Sequence, residues 1–325
     1  MKVIFVASGN KKGGSNVSAF VQSQYDSLRT EGLDMRLLST EGKGIQAYLR
    51  AVWKLRKMIR TEWPDVVHAH YSLCGWVASI ACFGLCKKPK IVVSILGSFP
   101  TKSKKWKLVR WSVKHLWDVT IVKSKRTADQ LGLPVEIIPN GVNMEVFKTL
   151  NYIEARERVG FDQNKHYVIW CSNPERPEKN WALAQAAIKE LENERVSELG
   201  KVEIVPVFDK TPNEVMTYMN AADCLLLTSV SEGSPNVIKE AMACNCPIVT
   251  TDVGDVRERL ANLDGCYVVS DNESKRERVR AVGIAIAQAI KFGKRTEGRK
   301  RILEDELEIS QISRRIIKIY TSFKL

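Results

Sequence analysis

The sequence predicts an α/β protein made of two doubly wound parallel sheets, each covered by helices. Three observations lead to this prediction. The chain has 325 residues, more than one ordinary domain needs, and 44% of them are hydrophobic, as in globular proteins. Short β-branched runs that are apolar on both faces alternate with helix-length segments, which is typical of a buried parallel sheet. This alternation starts again near residue 166 and therefore predicts a second sheet.

The first half of the chain contains six candidate strands, with helical periodicity between most of them. They are residues 2–8, 34–40, 65–70, 90–96, 118–124 and 135–139. The longest nearly apolar run, residues 73–86, is too short to span a bilayer, so we expect a buried helix there. The first ten residues lack the basic head of a secretory signal, and a core strand fits them better.

The second half contains five more candidate strands and ends in a helix. The strands are residues 166–172, 201–208, 223–229, 247–252 and 266–270. Apolar residues at 309, 312, 316, 319 and 323 predict a terminal helix with one packed face. We therefore expect three parts: an N-terminal domain over 1–150, a C-terminal domain over 151–307, and a terminal helix over 308–325.

Cysteine spacing argues against a zinc site, and the charge distribution indicates what kind of partner the chain binds. The eight cysteines do not form paired C-x-x-C motifs at zinc spacing, and we interpret most of them as small core residues in a reducing compartment. No metal site is predicted. The net charge is +13, and residues 1–150 hold 24 Lys and Arg against 10 Asp and Glu, whereas the remainder holds 26 against 27. This asymmetry favours an anionic partner for the first half.

Two basic segments with tryptophan lie in that half, at residues 48–63 and 101–117. In the second segment the apolar residues recur at helical spacing: Trp106, Val109, Val113, Leu116 and Trp117. Such a helix suits a membrane surface that carries anionic lipid. It equally suits a helix that packs on the core and has a basic outer face. Nucleic acid is a third interpretation, but no nucleic-acid-binding module accompanies the charge.

The stretch SEGSPNVIKEAMACNCPIVTTDVGDVRE, residues 231–258, carries the clearest chemical signal. It follows a predicted strand and is expected to open a helix with Pro235 in the first turn. The carboxyl ends of parallel strands bind ligands, and the free N–H groups and dipole of a helix N-terminus favour phosphate. Gly233 permits close backbone approach, and Ser234 can cap the helix or donate to an oxygen.

Two glutamates in this stretch, Glu232 and Glu240, are candidates for contacts with a ligand. A carboxylate beside a phosphate would be repelled, so we expect Glu240 to accept hydrogen bonds from a diol such as the ribose hydroxyls. Glu232, which precedes the helix, can reach hydroxyls on another part of the ligand. The alternative is that both glutamates are solvated surface charges.

The same stretch resembles the donor-site signature of the retaining GT-B glycosyltransferases of glycosyltransferase family 4. That signature has two glutamates separated by seven residues around a Gly-x-Pro turn, followed by a segment similar to PIVTTDVG. Three further segments are similar to the family's motifs: PNGVN at 139–143, DVVHAH at 65–70 and GGS at 13–15. The resemblance implies two Rossmann-like domains that face each other across a cleft, with the terminal helix packing back on the N-terminal, acceptor-side domain.

The resemblance also implies roles for individual residues. It assigns catalysis to Glu232, Lys179 and Arg176. It assigns donor binding to Gly233, Ser234, Pro235, Asn236, Val237, Glu240 and Gly14. It assigns the acceptor side to Gly13, Ser15, His70, Gly97 and Ser98. Two departures stand out: the family arginine normally lies where this chain has Asn173 and Pro174, and the histidine that many relatives carry near Leu96 is missing.

The implied activity is a retaining hexosyl transfer from a nucleotide-diphosphate sugar to a glycan or lipid-linked acceptor, in cell-surface polysaccharide synthesis. Attack would come from the front face, without metal or cofactor. Expected partners are the donor, the acceptor and an anionic membrane surface, but not nucleic acid. We expect a cytoplasmic protein, peripheral at the inner face of the membrane. Two alternatives stay open: a non-catalytic nucleotide-sugar-binding subunit and a GT-B sugar-nucleotide epimerase.

Overall fold

The structure, a computed structural model, forms two compact units. It describes residues 1–9, 17–42, 44–97, 104–193, 199–270 and 274–323. Unit 1 comprises Met1–Gly141 and Ile309–Leu325, and unit 2 comprises Val142–Glu308. The chain therefore leaves unit 1 within the PNGVN segment, whereas the sequence placed that boundary at residue 150.

Unit 1 is built on a six-stranded parallel sheet. Its strands are β1 (Lys2–Ser8), β2 (Asp34–Thr40), β3 (Val66–His70), β4 (Lys90–Ile95), β5 (Val119–Val122) and β6 (Glu136–Ile137). Their order is β2-β1-β3-β4-β5-β6, and every neighbouring pair is parallel. All six predicted strands are present, and the last two are shorter than predicted. The order reverses between β1 and β3.

Five helices connect these strands. They are α1 (Ala19–Thr30), α2 (Ile45–Glu62), α3 (Ser72–Cys82), α4 (Lys104–His115) and α5 (Lys125–Leu131). Helices α2, α3 and α4 form one layer, because α2 packs on α3 and Trp76 Nε1 of α3 donates to Ser112 Oγ of α4 at 2.8 Å. The apolar run predicted as a buried helix is α3.

The tryptophans of α4 and its flank divide between core and surface. Trp106, Val109 and Trp117 are buried in the core of unit 1, so the apolar face noted in the sequence packs inward. On the outer face, Trp111 is 52% exposed and Leu108 is 48% exposed, among lysines. The face predicted from the sequence therefore packs on the core of unit 1. Leu108 and Trp111 form a separate apolar group that is exposed on the outer side of the helix.

Unit 2 is built on a five-stranded parallel sheet. Its strands are β7 (His166–Trp170), β8 (Val202–Pro206), β9 (Cys224–Leu227), β10 (Ile248–Thr251) and β11 (Cys266–Val269). Their order is β11-β10-β9-β7-β8. The five predicted strands are again present, and the order reverses between β7 and β9.

The helices of unit 2 cover this sheet. They are α6 (Tyr152–Val159), α7 (Trp181–Asn193), α8 (Pro212–Ala221), α9 (Asn236–Ala243), α10 (Val256–Arg259), α11 (Lys275–Phe292) and α12 (Gly298–Glu304), with a 3₁₀ helix at Pro177–Lys179. A buried cluster packs α7 and α11 on the sheet and includes Val168, Trp170, Ala184, Leu226 and Ile286.

The final helix, α13 (Ile309–Ser322), packs on α1 within unit 1. Ser313 Oγ donates to Ser27 Oγ at 2.9 Å, and Ile312, Ile316 and Tyr320 are fully buried. The sequence pattern predicted that Ile319 belongs to the packed face of this helix, but the structure buries the neighbouring Tyr320 instead. Across the described residues, no helix is both long and apolar enough to cross a membrane.

Candidate functional site

The reversal of strand order between β7 and β9 locates the candidate site in unit 2. Open α/β sheets bind ligands outside the carboxyl ends of their strands at such a point. The segment after β7 leads to the 3₁₀ helix that ends at Lys179, and the segment after β9 leads through Glu232 to α9. Both segments border a small hollow lined by Trp170, Cys171, Ser172, Lys179, Leu225, Leu226, Leu227, Ser229 and Val237.

Lys179 and Glu232 form an ion pair beside this hollow. Their side chains are 17% and 18% exposed. The backbone fixes both partners, because Val230 N–H donates to the carbonyl of Glu178 at 3.0 Å and Thr228 Oγ1 donates to the carbonyl of Lys179 at 2.9 Å. The two segments that the sequence predicted to meet are therefore joined by both charge and hydrogen bonds.

The loop at residues 229–235 rests on the segment that follows β10. Thr251 Oγ1 donates to the carbonyl of Ser229 at 2.7 Å. Gly254 has φ +60°, and a Cβ placed there would lie 2.6 Å from the carbonyl oxygen of Gly233. Glycine is required at 254 for both reasons, since other residues rarely adopt this φ and any side chain would displace the loop.

Helix α9 begins at Asn236, with Pro235 at the N-cap position instead of in the first turn. Ser234 makes no capping bond to the helix. Its hydroxyl donates instead to Asp255 Oδ2 at 2.8 Å, and a contact of Ser234 with a ligand stays a prediction. Among the described residues, the N–H groups of Gly233 and Ser234 donate to no acceptor. Two unpaired donors next to a helix N-terminus favour an anionic group.

Ser234 belongs to a network of buried charges. Lys239, only 1% exposed, donates from Nζ to Ser234 Oγ at 2.7 Å, and Arg259 Nε donates to Asp255 Oδ2 at 3.1 Å. Burial lowers the pKa of Lys239, and the carboxylate of Asp255 opposes that shift. The network therefore ties the loop to α9 and to the start of α10.

Glu240 lies half-buried in α9, and its side chain has no hydrogen-bond or ion-pair partner in the described segments. Burial raises the pKa of this carboxyl to about 7, and the charge of Lys239 opposes the rise. Burial, followed by the charge of Glu240, also raises the pKa of Cys171, which lines the hollow. A carboxylate without a protein partner can accept two hydrogen bonds from a diol.

Ser229 adds a polar group that the sequence did not single out. Its side chain is 1% exposed and borders the hollow, and its Oγ finds no hydrogen-bond partner within the described part of the chain. Buried hydroxyls are nearly always hydrogen-bonded, so an unpaired one beside a hollow indicates a ligand or water partner.

The side chain of Arg176 forms an ion pair with Glu178. Arg176 precedes the 3₁₀ helix, its side chain is 54% exposed, and its Nη2 donates to Glu178 Oε1 at 2.6 Å. A catalytic role for Arg176 stays a prediction. Of the other predicted donor residues, Val237 lines the hollow and Asn236 opens α9.

The predicted acceptor-side residues belong to unit 1. Gly13, Ser15 and Ser98 lie outside the described residues, as does Gly14, which was predicted to bind the donor. Gly97 is exposed just after β4. The side chain of His70 is fully buried, and neither ring nitrogen has a partner in the described structure.

His70 packs against a second buried histidine, His68. It stacks on His68 at 4.6 Å between ring centroids, and His68 is hydrogen-bonded to Tyr320 Oη and Ser94 Oγ. Burial, with a smaller contribution from Lys123, lowers the pKa of His70 to about 3, so the ring is neutral near pH 7. Residues 68 and 70 are two positions apart in a strand, so their side chains lie on the same face of the sheet. This spacing could have revealed the pair.

Comparison with known proteins identifies the family. Residues 149–288 match the family described as Glycosyl transferases group 1, and residues 14–146 match the one described as Glycosyltransferase Family 4. The two matches together cover every strand of both sheets except β1.

The chain belongs to glycosyltransferase family 4.

Similar proteins agree with the family assignment. TuaC of Bacillus subtilis, named as a teichuronic acid biosynthesis glycosyltransferase, is 27% identical over 63% of this chain and 57% of its own length. The Escherichia coli UDP-Gal:alpha-D-GlcNAc-diphosphoundecaprenol alpha-1,3-galactosyltransferase is 24% identical over 63% of this chain and 62% of its own. This chain therefore spans somewhat less than two thirds of both relatives.

A solved structure supports the fold. Sucrose-phosphate synthase from Thermosynechococcus elongatus superposes over 99% of both chains with a TM-score of 0.77 and 16% identity. The two open parallel sheets are thus those of the GT-B glycosyltransferases.

Three site residues of this family member escaped the sequence analysis: Ser229, Lys239 and Asp255. Asp255 follows a strand at the carboxyl edge of the sheet, a position that could have suggested it. Lys239 resembles an exposed helical lysine, and only tertiary packing reveals its burial. In the described residues, no group of three or more His, Cys, Asp or Glu side chains is placed to hold a metal ion.

Proposed function

We propose that the protein is a retaining hexosyltransferase that moves a sugar from a nucleotide-diphosphate sugar to a glycan or lipid-linked acceptor. One observation carries the proposal. At the switch point between β7 and β9, the Lys179 ammonium lies at the same end of the sheet as the Gly233 and Ser234 N–H groups and the Glu240 carboxylate, for which the described part of the chain offers no partner. Positive groups suit a diphosphate, and a free carboxylate suits a ribose diol.

In the proposed reaction, the bond between the anomeric carbon and the diphosphate oxygen breaks. The acceptor oxygen bonds to the anomeric carbon on the same face, and its proton passes to the departing phosphate. Lys179 and the N–H groups of Gly233 and Ser234 stabilise the charge that develops on that phosphate. Glu232 orients Lys179 through their ion pair and accepts hydrogen bonds from sugar hydroxyls. No step uses a metal ion or a cofactor.

The relatives guide the choice of donor and acceptor. The E. coli relative is named for UDP-Gal as donor and for a diphosphoundecaprenol-linked acceptor, and TuaC is named for teichuronic acid biosynthesis. We propose a role in cell-surface polysaccharide synthesis, with UDP-hexoses as the first donors to test.

Two features of unit 1 support action at an anionic membrane, at its inner face. Residues 1–150 carry the excess of basic residues. On α2, Trp53 is 75% exposed and Leu49 is 54% exposed, and on α4 Trp111 is exposed among lysines. Exposed tryptophan within a basic surface favours the membrane interface, where the ring is half-immersed and the charges meet lipid phosphates.

A transfer assay tests the proposal. The protein is incubated with UDP-galactose or UDP-glucose and a polyprenyl-diphosphate-linked N-acetylhexosamine, and UDP release and the anomeric configuration of the product are measured by proton NMR. We expect UDP release that depends on the acceptor and an α-linked product from the α-linked donor. A β-linked product would contradict the retaining mechanism. Tight UDP binding without turnover on any acceptor would favour the non-catalytic binding subunit instead.

A further inference from the structure

Lys239 has no part in the site as predicted, yet its environment is unusual. It lies in α9 one residue before Glu240, and its side chain is 1% exposed. A buried ammonium group is strongly unfavourable unless hydrogen bonds and an opposite charge compensate for its lost hydration. The fold supplies that compensation from the loop at 229–235 and from the start of α10.

The contacts of Lys239 all converge on Ser234. Nζ donates to Ser234 Oγ at 2.7 Å and to the Ser234 carbonyl oxygen at 3.3 Å. Ser234 Oγ in turn donates to Asp255 Oδ2 at 2.8 Å, and Arg259 Nε donates to the same carboxylate oxygen. The Ser234 hydroxyl thus accepts a hydrogen bond from Lys239 and donates one to Asp255, so two partners hold its side chain in place.

The peptide planes on either side of Ser234 are constrained as well. Lys239 holds the carbonyl of the plane that follows Ser234. The carbonyl of the preceding plane belongs to Gly233, and it packs against Gly254 so closely that a Cβ at 254 would lie 2.6 Å away. The N–H of Ser234 lies in this preceding plane, so its direction is fixed when both constraints act.

We propose that Lys239 is a positioning residue of the donor site. Through Ser234 and Asp255 it fixes the Gly233–Ser234 segment, and thereby aims the two unpaired N–H groups at the leaving diphosphate. The inference rests on the proposed function, because it assigns those N–H groups to the donor phosphate. Lys239 itself contacts no substrate in this scheme.

A purely structural role for Lys239 is the competing explanation, and Arg156 supplies a matched control. Arg156 is also 1% exposed, lies in the same unit and pairs with Asp223 Oδ2 at 2.8 Å, far along the sequence from the loop. Lys239→Met and Arg156→Met each remove one buried cation. Only the first should act on the donor site.

The test measures the Kd for UDP by calorimetry, kcat and KM with UDP-galactose, and the melting temperature. For Lys239→Met we expect kcat to fall at least about tenfold and the Kd for UDP to rise several-fold, with partial recovery in Lys239→Arg. For Arg156→Met we expect a lower melting temperature and a Kd within about twofold of the wild type. If Lys239→Met does not fold, Ser234→Ala removes the hydroxyl that joins Lys239 to Asp255 but keeps the charge and the bond from Nζ to the Ser234 carbonyl, and it should lower kcat and raise the Kd for UDP in the same direction.

Hydrogen exchange of the ligand-free protein separates this inference from the proposed function. Amides at 229–243 should exchange faster in Lys239→Met, while those of α11 stay unchanged. If the wild type binds no nucleotide, the proposed function fails, and the exchange result still decides whether Lys239 fixes the loop. Unchanged exchange at 229–243, or wild-type kcat and Kd in Lys239→Met, would overturn the inference.

Discussion

At the scale of single residues, Glu240 shows how the fold prepares a group for a ligand. It is half-buried in α9 without a partner among the described side chains, and burial raises its pKa to about 7 from the ordinary value of 4.5. The raised pKa means that the folded protein retains a proton that the unfolded chain releases between these two values. The contribution to stability is therefore complete below pH 4.5 and is lost as pH rises through 7.

This shift predicts that Glu240→Gln becomes relatively more stable as pH rises. The uncharged amide escapes the desolvation of a buried carboxylate, so the difference in unfolding free energy between variant and wild type should grow by up to about 3 kcal/mol from pH 4.5 to 8. Urea unfolding at several pH values, followed by tryptophan fluorescence, measures that difference. Parallel pH profiles for the two proteins would mean that Glu240 titrates normally and is well hydrated.

Not every important residue could be predicted from the sequence. Glu232 and Glu240 were predicted from their positions after a strand and in a helix, whereas Lys179 was predicted only from the resemblance to the family. Lys239 and Asp255 were missed because their pairing through Ser234 depends on packing between α9 and the segment after β10. His68 was missed because its partner Tyr320 is 252 positions away in the sequence.

At the scale of elements, all eleven strands were predicted, because continuous β-branched runs are a local signal. Their ends were less well predicted. Residues 118–124 were predicted as a strand, but β5 stops at Val122 because the Ser124 hydroxyl accepts from Thr127 N–H and caps α5. Ser124 has an extended backbone yet serves as the helix cap, and the apolar pattern alone does not reveal this.

The outer face of α4 predicts binding to anionic lipid. The helix contains no acidic residue, and Lys104, Lys105, Lys107 and Arg110 are exposed beside Trp111. Each basic residue near an anionic surface contributes about 1 kcal/mol, which salt screens. We expect co-sedimentation with vesicles that contain phosphatidylglycerol, little with phosphatidylcholine vesicles, and weaker binding as salt rises.

Variants with four charges removed test this surface. Glutamine at Lys104, Lys105, Lys107 and Arg110 should reduce vesicle binding strongly and leave the Kd for UDP unchanged, because these residues belong to unit 1 and the donor site to unit 2. A matched control replaces four exposed lysines of unit 2 with glutamine, namely Lys189, Lys275, Lys294 and Lys300. Equal losses in both variants, or no binding by the wild type at low salt, would contradict the membrane proposal.

At the scale of the whole molecule, two open parallel sheets and a terminal helix that returns to unit 1 form the fold of a family 4 glycosyltransferase. The alternation of strands and helices predicted both sheets, and the motif at 231–258 predicts a donor site at the second sheet. The strand order in each sheet could not be read from local patterns, because it is set by how distant strands pair. Yet that order is what brings Lys179 and Glu232 together.

The central claim is that unit 2 binds a nucleotide diphosphate with Glu240 on the ribose, and calorimetry with two ligands tests it most directly. The Kd values of UDP and of 2′,3′-dideoxy-UDP are measured for the wild type and for Glu240→Ala, with Lys189→Ala as an exposed control. Loss of a charge-assisted hydrogen bond costs about 1.5–3 kcal/mol, so Glu240→Ala should bind UDP about tenfold to a hundredfold more weakly. Removal of the hydroxyls should weaken wild-type binding similarly and have little further effect in Glu240→Ala. Equal UDP affinity in wild type and Glu240→Ala, or no affinity in either, would contradict the account.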